Sequence, residues 1–356
     1  MKTNDSKWDV SPALSEGNLN GAGSVPLNRV KTTQIAGNTR YVWATKPTLY
    51  FIGMSTGNSA IMRVFPRWAE HLKLGNVAIQ GVDCSWHADP EVYRQVVECI
   101  RNDASAKGAL VTTHKVDLLK ACRDMFDYLD HHARLMGEIS CISKRNGKLR
   151  GHAKDIISSG LSLEAFLPKG HWESTHGVVF CMGAGGSAIA LTSYLLHPKH
   201  GANRPKRIIL SNRSPARLAE AKEIHARIGQ TIPIEYHHTP RPEDNDALLN
   251  CLQPHSLVVN ATGLGKDAPG SPITDQGRFP ENGFAWDFNY RGNLVFLDQA
   301  RAQKEQQKLN IIDGWVYFIH GWTRVIAEVF DLEIPTAGPK FDELSTIAKQ
   351  VRNGQT

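Results

Sequence analysis

The chain has 356 residues, of which 41% are hydrophobic and 21% are charged, and its formal net charge is +6. This length suffices for two domains with their own cores, and no segment approaches the roughly 18 consecutive apolar residues of a membrane helix. Because the basic residues are spread along the chain, the charge argues against a nucleic-acid-binding protein and suits an enzyme for phosphorylated or acidic ligands.

The six cysteines and fifteen histidines are dispersed along the chain. No CxxC, HExxH or HxxEH spacing occurs, so the sequence predicts neither a metal site nor a disulfide framework. Residues 1–18 are polar and lack the apolar segment of a secretory signal. We therefore expect a cytoplasmic protein with reduced thiols, which binds neither nucleic acid nor membranes and is a monomer or a homodimer.

The first part of the chain changes character near residue 46. Residues 1–45 are rich in Asn, Gly, Ser and Thr without clear periodicity, which is compatible with a flexible arm or with an arm that packs on the body or on a second subunit. Beyond them, β-rich runs such as Thr48 to Gly53 alternate with helical patterns such as Pro90 to Asp103. A third strand candidate, GALVTTHK, ends in polar residues at Lys115. This alternation predicts a mostly parallel sheet.

A second alternating block begins near His176. HGVVFCMGAGGSAIALTSYLL predicts a strand, a glycine turn and a helix, and KRIILSNRSPARLAEAKEIHARIG repeats that order. Three more strands are predicted in IPIEYHH, SLVVNATG and GFAWDFNY, and helical patterns follow from Trp315 to Val329 and from Asp342 to Val351. The order is typical of a dinucleotide-binding fold, so we predict an α/β protein with a Rossmann-type domain.

The glycine turn fits the pattern GxGxxA of dinucleotide-binding proteins. Its residues are Gly183, Ala184, Gly185, Gly186, Ser187 and Ala188. The first glycine permits a tight turn, and the second lets the backbone approach a pyrophosphate at the N-terminus of the following helix. A glycine-rich loop that binds nothing is the alternative, which the order of strand, turn and helix disfavours.

The turn after the next strand bears on the choice of cofactor. A NAD site usually carries Asp or Glu there, whereas this chain has Asn212, Arg213 and Ser214, with Arg217 one turn later. A guanidinium suits the 2′-phosphate of NADP through paired, charge-assisted hydrogen bonds. The alternative is a surface turn in which Ser214 caps a helix that begins at Pro215, and both can hold together. The sequence thus predicts NADP as cofactor.

These turns together resemble those of the shikimate dehydrogenases. GAGG after a strand, Asn-Arg-Ser after the next, and the run Asn260 to Gly265 after a later one agree with that family in order and spacing, from about Thr48 to the last helices. The resemblance implies two α/β domains with a cleft between them. It divides the chain into an N-terminal extension (1–45), a substrate-binding catalytic domain (46–155), an NADP-binding Rossmann domain (156–314) and C-terminal helices that return to the substrate domain (315–356).

The resemblance also implies a catalytic pair. The family's lysine lies in a segment like VTxPxK, which matches Leu110 to Lys115, and its aspartate closes a segment like GxNTD, which matches Gly151 to Asp155. Lys115 and Asp155 are therefore the expected catalytic residues. Such a pair suits hydride transfer because a positioned amine or carboxylate can accept the proton of an alcohol, and an ammonium group stabilises negative charge on the reacting oxygen.

Further site residues follow from the same motifs. The resemblance implies substrate contacts from Ser59, Thr112, Ser140 and Tyr290. It implies cofactor contacts from the glycine turn, from the Asn-Arg-Ser turn with Arg217, and from Asn260, Ala261, Thr262 and Gly314. Three polar residues outside the family pattern, His152, Lys154 and His320, are added as candidates for the substrate side, with a structural or solvent-exposed role as the alternative; we include His320 among the predicted substrate contacts.

The departures from the family pattern cluster on the substrate side. The second serine of GxPIxHSxSP falls on Ile61, and the asparagines of GAVNT and GxNTD fall on Ser140 and Ala153. The glutamine of GLxMLxxQ falls on Gly321. A site that lacks the partners of a substrate hydroxyl discriminates differently from one that has them, so we expect a related substrate that is not necessarily shikimate.

Three functions remain in competition at this point. The first is an NADP-dependent dehydrogenase of a cyclic polyhydroxy acid or ketone such as shikimate or quinate. The second is a reductase of another small metabolite, such as a cyclitol ketone, on the same scaffold. The third is a catalytically silent metabolite sensor, against which the presence of both Lys115 and Asp155 argues.

Overall fold

The computed structural model describes residues 31–354 except positions 38, 230 and 267. The strands are β1 (Thr32–Gln34), β2 (Arg40–Val42), β3 (Thr48–Gly53), β4 (Ala78–Asp83), β5 (Ala106–Val111), β6 (Tyr128–Leu129), β7 (Cys141–Arg145), β8 (Lys148–His152), β9 (Val179–Met182), β10 (Ile208–Asn212), β11 (Ile234–His238), β12 (Leu257–Asn260), β13 (Phe284–Asp287) and β14 (Asn310–Ile312). The helices are α1 (Ile61–His71), α2 (Pro90–Asn102), α3 (Lys115–Cys122), α4 (His131–Met136), α5 (Asp155–Phe166), α6 (His171–Thr175), α7 (Gly186–Leu195), α8 (Pro215–Ile228), α9 (Pro242–Leu249), α10 (Val295–Ala302), α11 (Lys304–Gln307), α12 (Trp315–Phe330) and α13 (Pro339–Arg352). Across these described ranges, no helix is both long and apolar enough to cross a membrane.

The first sheet has the strand order β4-β3-β5-β7-β8-β6, and three of its five strand pairings are parallel, as predicted, while two are antiparallel. β3 pairs in parallel with β4 and β5, whereas β7 and β8 form an antiparallel hairpin beside β5. The hairpin turns at Asn146 and Gly147, whose φ angles are 52° and 74°. Two positive φ angles suit a two-residue hairpin turn, and Asn-Gly is the dipeptide that favours it, so the sequence held a signal for this hairpin that the strand–helix pattern did not predict.

The second sheet confirms the predicted Rossmann-type fold. Its order is β11-β10-β9-β12-β13-β14 and every pairing is parallel. Counted along the chain, this is the doubly wound order 3-2-1-4-5-6. The central strands β9, β12 and β13 are buried along their whole length, as expected where helices cover both faces of a parallel sheet.

The described end of the N-terminal extension packs on the first sheet. The ring of Tyr41 in β2 stacks on that of Tyr50 in β3 at 4.7 Å, and both side chains are fully buried. Their hydroxyls donate to one carboxylate oxygen of Asp103, at 3.1 Å and 2.9 Å. Residues 31–45 therefore belong to the body of the protein, while residues 1–30 of the predicted arm lie outside the described part of the chain.

The last two helices pack against the first sheet. In α12, the ring of Trp322 meets that of Phe51 of β3 edge-on at 5.0 Å. In α13, the carbonyl of Leu344 accepts a hydrogen bond from the Trp68 indole of α1 at 2.9 Å. The chain thus enters the second sheet after α5 and comes back to the first sheet with α12.

A glycine allows two site-bearing helices to pack closely. α5 begins at Asp155 and α7 begins at Gly186, and the two helices contact each other at Gly160 and Tyr194. A Cβ on Gly160 would lie 2.1 Å from a ring carbon of Tyr194. The Tyr194 ring cannot easily give way, because it is buried and its hydroxyl donates to Glu164. The close contact at Gly160 therefore fixes the distance between helix α5, which begins at Asp155, and helix α7, which begins at Gly186.

We expect Gly160→Ala to destabilise the protein. Overpacking costs about 1–3 kcal/mol, against a gain of about 1 kcal/mol from the better helix propensity of alanine. For a chain of 356 residues the melting temperature should fall by up to about 3 °C, as measured by circular dichroism. Gly321→Ala in α12 is the matched control, since a Cβ there meets nothing within 4 Å and should not lower the melting temperature. Equal melting temperatures for Gly160→Ala and the wild type would contradict the close-packing argument.

Candidate active site

Lys115 and Asp155 meet beyond the C-terminal ends of strands β5 and β8 of the first sheet. Lys115 is the first residue of α3, after β5, and Asp155 is the first residue of α5, after β8. The Lys115 ammonium forms an ion pair with the carboxylate of Asp155, and the two side chains are only 15% and 12% exposed. The structure therefore brings together the two residues that sequence comparison nominated as a catalytic pair.

The charge state of Lys115 follows from its surroundings. Burial by itself would lower the pKa of Lys115, but the carboxylates of Asp155 and Glu138 outweigh it, and the net shift of the pKa is upward. Lys115 is therefore an ammonium group at neutral pH, so it can donate hydrogen bonds and stabilise an anion but does not act as a base.

Tyr317 of α12 is a site residue that the sequence comparison missed. Its hydroxyl donates to Asp155 Oδ2 at 3.4 Å and lies close enough to the side chain of Ser187, in the glycine turn, for the two groups to interact. Its ring lies 4.8 Å from that of Phe288, after β13. Burial, together with the negative charge of Asp155, raises the pKa of Tyr317 well above its ordinary value, so the phenol remains a neutral donor. The sequence did contain a sign of this role, because Tyr317 is an aromatic residue at the position where the family's GLxMLxxQ segment has methionine.

Glu138 is the second residue that the comparison missed. It lies in the segment that matches GAVNT, at the alanine position, and is 1% exposed. Burial raises the pKa of Glu138 to about 7, although Lys115 works in the opposite direction. The signal in the sequence was a carboxylate in an otherwise apolar segment beside Ile139.

Ser140 supports the turn that precedes Asp155. Its hydroxyl oxygen accepts the backbone N–H of Lys154 at 2.8 Å, which fixes the residue just before Asp155. Ser140 is almost fully buried, as is Ala153. The hydroxyl of Ser140 is thus used within the protein, and neither side chain presents the amide that the family pattern has at that position.

His152 and Lys154 belong to a polar network that ends on α12. His152 lies with Nε2 2.9 Å from Ser143 Oγ and Nδ1 3.6 Å from an oxygen of Asp130. The ammonium group of Lys154 contacts Glu328 Oε2 of α12 at 2.9 Å. His152 is buried, so this network braces the turn that precedes Asp155 and ties it to the returning helix.

Three predicted substrate contacts lie at the ends of the expected elements. Thr112 directly follows β5, and its methyl group would lie 3.0 Å from a Cβ on Gly53, the last residue of β3. Ser59 is 8% exposed in the turn between β3 and α1. Tyr290 follows β13 and packs its ring 4.8 Å from that of Phe318 of α12.

His320 lies among apolar side chains. Its ring stacks on Phe341 of α13 at 4.5 Å, and it is 1% exposed. Burial lowers the pKa of His320 to about 4, so the ring is neutral. His320 is thus part of the packing between α12 and α13, which is the structural role that the sequence left as the alternative.

The glycine turn has the geometry of a phosphate cradle. Gly183 has a φ of 114°, and a Cβ there would lie 2.5 Å from the carbonyl oxygen of Ala261. Gly185 precedes α7 and has nothing within 4 Å of its Cβ position, so the space in front of it is open. The first N–H groups of an α-helix have no partner within the helix, and such groups suit an anion. Ala184 behind them is buried, and Ser187 follows in the first turn.

The turn after β10 is ordered by its own side chains. The amide oxygen of Asn212 accepts the N–H of Ser214 at 2.8 Å, and the Ser214 hydroxyl accepts the N–H of Arg217 at 3.4 Å. Pro215 begins α8, so the predicted cap is present. The Arg217 guanidinium pairs with Glu220, whereas Arg213 is exposed on the outer side of the turn.

A third turn, after β12, faces the glycine turn from the neighbouring strand. Asn260 donates to Asp287 at 3.0 Å and accepts the Thr262 hydroxyl at 2.6 Å. Burial raises the pKa of Asp287 to about 6. Ala261 packs behind Gly183, as its carbonyl position shows. Gly314, which precedes α12, has no space for a side chain, since a Cβ would lie 2.1 Å from the carbonyl oxygen of Phe288.

Comparison with solved structures shows where this fold has been seen. A shikimate dehydrogenase in complex with NADP+ superposes with a TM-score of 0.65 at 20% identity and covers 87% of this chain and 96% of its own. The shikimate dehydrogenase of Aquifex aeolicus gives 0.64 at 19% identity, covering 87% and 98%. The quinate dehydrogenase of Corynebacterium glutamicum, in complex with NAD, gives 0.64 at 17% identity, covering 85% and 98%. At these identities the likeness establishes the fold.

Comparison of sequences leads to the same proteins. No family model matches the chain. The NADP(+) shikimate dehydrogenase of Streptococcus thermophilus is 27% identical over 249 residues, which are 69% of this chain and 81% of that protein. The corresponding enzyme of Paramagnetospirillum magneticum is 24% identical over 270 residues, or 76% and 87%. The chain is thus similar in sequence to NADP(+) shikimate dehydrogenases over about 69–76% of its length, and it shares the fold of solved shikimate dehydrogenases.

Proposed function

We propose that this protein is an NADP-dependent dehydrogenase that interconverts an alcohol and a ketone on a small cyclic polyhydroxy acid or a similar ring. The observation that carries the proposal is the ion pair of Lys115 and Asp155, joined through Tyr317 to the glycine turn at Ser187. The pair that would transfer the proton and the turn that would bind the pyrophosphate are thus connected through Tyr317. A sensor without catalysis has no need of the partly buried ion pair.

The residues divide the chemistry between them. Asp155, as the carboxylate of the pair, accepts the hydroxyl proton when the alcohol is oxidised and returns it when the ketone is reduced. The Lys115 ammonium donates a hydrogen bond to the same oxygen and stabilises its negative charge in a site with little water. The Tyr317 hydroxyl holds Asp155 Oδ2 in place at 3.4 Å.

The cofactor site fits a dinucleotide. The open space before Gly185 and the N–H groups of α7 would hold the pyrophosphate, and the turn of Asn212, Arg213 and Ser214 would hold the 2′-phosphate. Arg217, Asn260, Ala261, Thr262 and Gly314 would complete the walls of the site. Bound NADP would supply the hydride acceptor or donor. The relatives named as NADP(+) enzymes support this choice of cofactor.

The substrate side supports a related but altered specificity. Ser59, Thr112 and Tyr290 would contribute polar groups, whereas Ile61 is fully buried in the apolar face of α1. The relatives named as shikimate and quinate dehydrogenases support a cyclic acid. A second candidate, a cyclitol ketone or similar ring, is favoured by the loss of amide groups around Ser140.

We expect Lys115→Ala to lower kcat about 10²- to 10³-fold with little change in the dissociation constant for NADP, because the group that stabilises the reacting oxygen is lost. Steady-state assays of NADPH absorbance, with fluorescence titration of the cofactor, measure both quantities. Lys120→Ala is the matched control, since Lys120 is exposed on the same helix. Near-wild-type turnover of a folded Lys115→Ala protein would remove Lys115 from the mechanism.

Arg213→Ala should raise KM for NADP by about 10- to 150-fold, the value of one charge-assisted hydrogen bond, and leave the KM for NAD little changed. Arg207→Ala serves as control. Arg207 lies just before β10, at the end of that strand opposite to Arg213, and forms an ion pair with Glu235. Equal losses with both cofactors would contradict a contact between Arg213 and the 2′-phosphate.

Shikimate, if it is turned over, should be a poor substrate, with kcat/KM below about 10⁵ M⁻¹s⁻¹. Gly321 lies one helical turn after Tyr317, and its Cβ position is open, so Gly321→Gln has room to restore the family's amide there. This variant should raise kcat/KM for shikimate, whereas Gly321→Leu, of similar size, should not. A wild-type value at or above that limit would show that the altered positions are compensated.

A further inference from the structure

Glu138 stands between the catalytic pair and the glycine turn. It follows the last turn of α4 and points at the first residue of α7, since a Cβ on Gly186 would lie 2.3 Å from Glu138 Oε2. The side chain is buried, and within the described residues Oε1 has no hydrogen-bond partner. Gly186 therefore leaves room for a carboxylate beneath the turn.

A buried carboxylate with an unmet oxygen is costly to the fold. Removing such a group from water without partners disfavours its charged form, and native proteins satisfy nearly all their buried polar atoms. The family segment GAVNT has alanine at this position, so the fold does not need an acid there. The energetic cost of burying Glu138 therefore indicates that this residue has a role in the candidate active site.

The charges that face Glu138 come from several elements. They are the ammonium group of Lys115 in α3, the carboxylate of Asp155 in α5, the carboxylate of Glu220 in α8, the phenol of Tyr317 in α12 and the N-terminal end of α7 at Gly186. Lys115 and the helix end favour the anion of Glu138, while burial, Asp155 and Glu220 favour its acid form.

We propose that Glu138 shares the N-terminal end of α7 with the pyrophosphate of the dinucleotide, so that cofactor binding requires this carboxyl group to take up a proton. The proposal rests on the proposed function, because it assumes that the pyrophosphate lies at the glycine turn. Glu138 is then a positioning residue: once protonated, it leaves Lys115 to Asp155 and to the substrate.

The direction of the linkage follows from the charges. In the free protein burial raises the pKa of Glu138 to about 7, so the ionised form becomes dominant only above neutral pH. A bound pyrophosphate adds negative charge at the same helix end, which raises the pKa of Glu138 further. Above pH 7 binding therefore consumes a proton from the buffer, and the dissociation constant for NADP rises by up to about tenfold per pH unit. Below about pH 6 the group is protonated in both states and the linkage vanishes.

Calorimetric titration of NADP in two buffers of different ionisation enthalpy counts the protons taken up on binding. At pH 8 the wild type should bind up to about one proton more than Glu138→Gln under the same conditions, and this excess should shrink towards pH 6. The cofactor's own 2′-phosphate, which titrates near pH 6, cancels in this difference. Glu98→Gln, which removes one carboxylate from the exposed face of α2, should behave as the wild type.

The outcomes separate this proposal from the proposed function. Equal proton uptake by the wild type and Glu138→Gln would overturn the role of Glu138 while leaving the cofactor site intact. Failure of both proteins to bind NADP at any pH would overturn the cofactor site, and the role of Glu138 with it. Glu138→Ala, which installs the residue of the family segment, gives the same test if the glutamine variant does not fold.

Discussion

The ion pair between Lys115 and Asp155 is the contact around which the site is arranged. It draws a residue at the end of β5 to one at the end of β8, 40 positions later, and holds both with little exposure to water. A partly buried pair is stabilising only when its geometry is held and its remaining hydrogen-bonding groups are met. The surrounding protein meets these demands: Ser140 fixes the backbone before Asp155, and Tyr317 donates to its carboxylate.

The returning helix α12 is what makes this arrangement possible. It carries Tyr317 to Asp155 and Glu328 to Lys154, so the turn around the aspartate is held from the C-terminal part of the chain. The Tyr317 ring also packs on Phe288 of the second sheet. One helix thus connects the turn around Asp155 to both sheets. The close approach of α5 and α7 at Gly160 adds a second, independent restraint between Asp155 and the glycine turn.

Sequence reasoning succeeded where a local pattern determines the structure. The run Thr48–Gly53 is a strand to the residue, and the GxGxxA turn joins β9 to α7 as expected, because apolar runs and glycines act over a few positions. It gave no access to contacts between segments that are distant in the chain. The position of His320 against Phe341 depends on how α13 packs, and the inward use of the Ser140 hydroxyl depends on the turn at Lys154.

The same contacts change how the departures from the family pattern are to be understood. Ser140 in place of asparagine is a hydroxyl turned to the protein's own backbone, and Ala153 is buried beside it. The substrate side therefore lost amides without leaving unpaired groups behind, since the smaller side chains are satisfied or apolar. Over the same stretch of sequence a carboxylate entered at Glu138, next to the phosphate cradle. Two positions in one short segment thus differ from the family pattern in opposite ways. Ser140 replaces a neutral amide, which in the proposed site would face the substrate. Glu138 adds a titratable carboxyl group, which in the proposed site would face the cofactor. In the proposed function these residues face different ligands, so specificity for the ring and the proposed pH dependence of cofactor binding would vary separately while the Lys115–Asp155 pair stays in place.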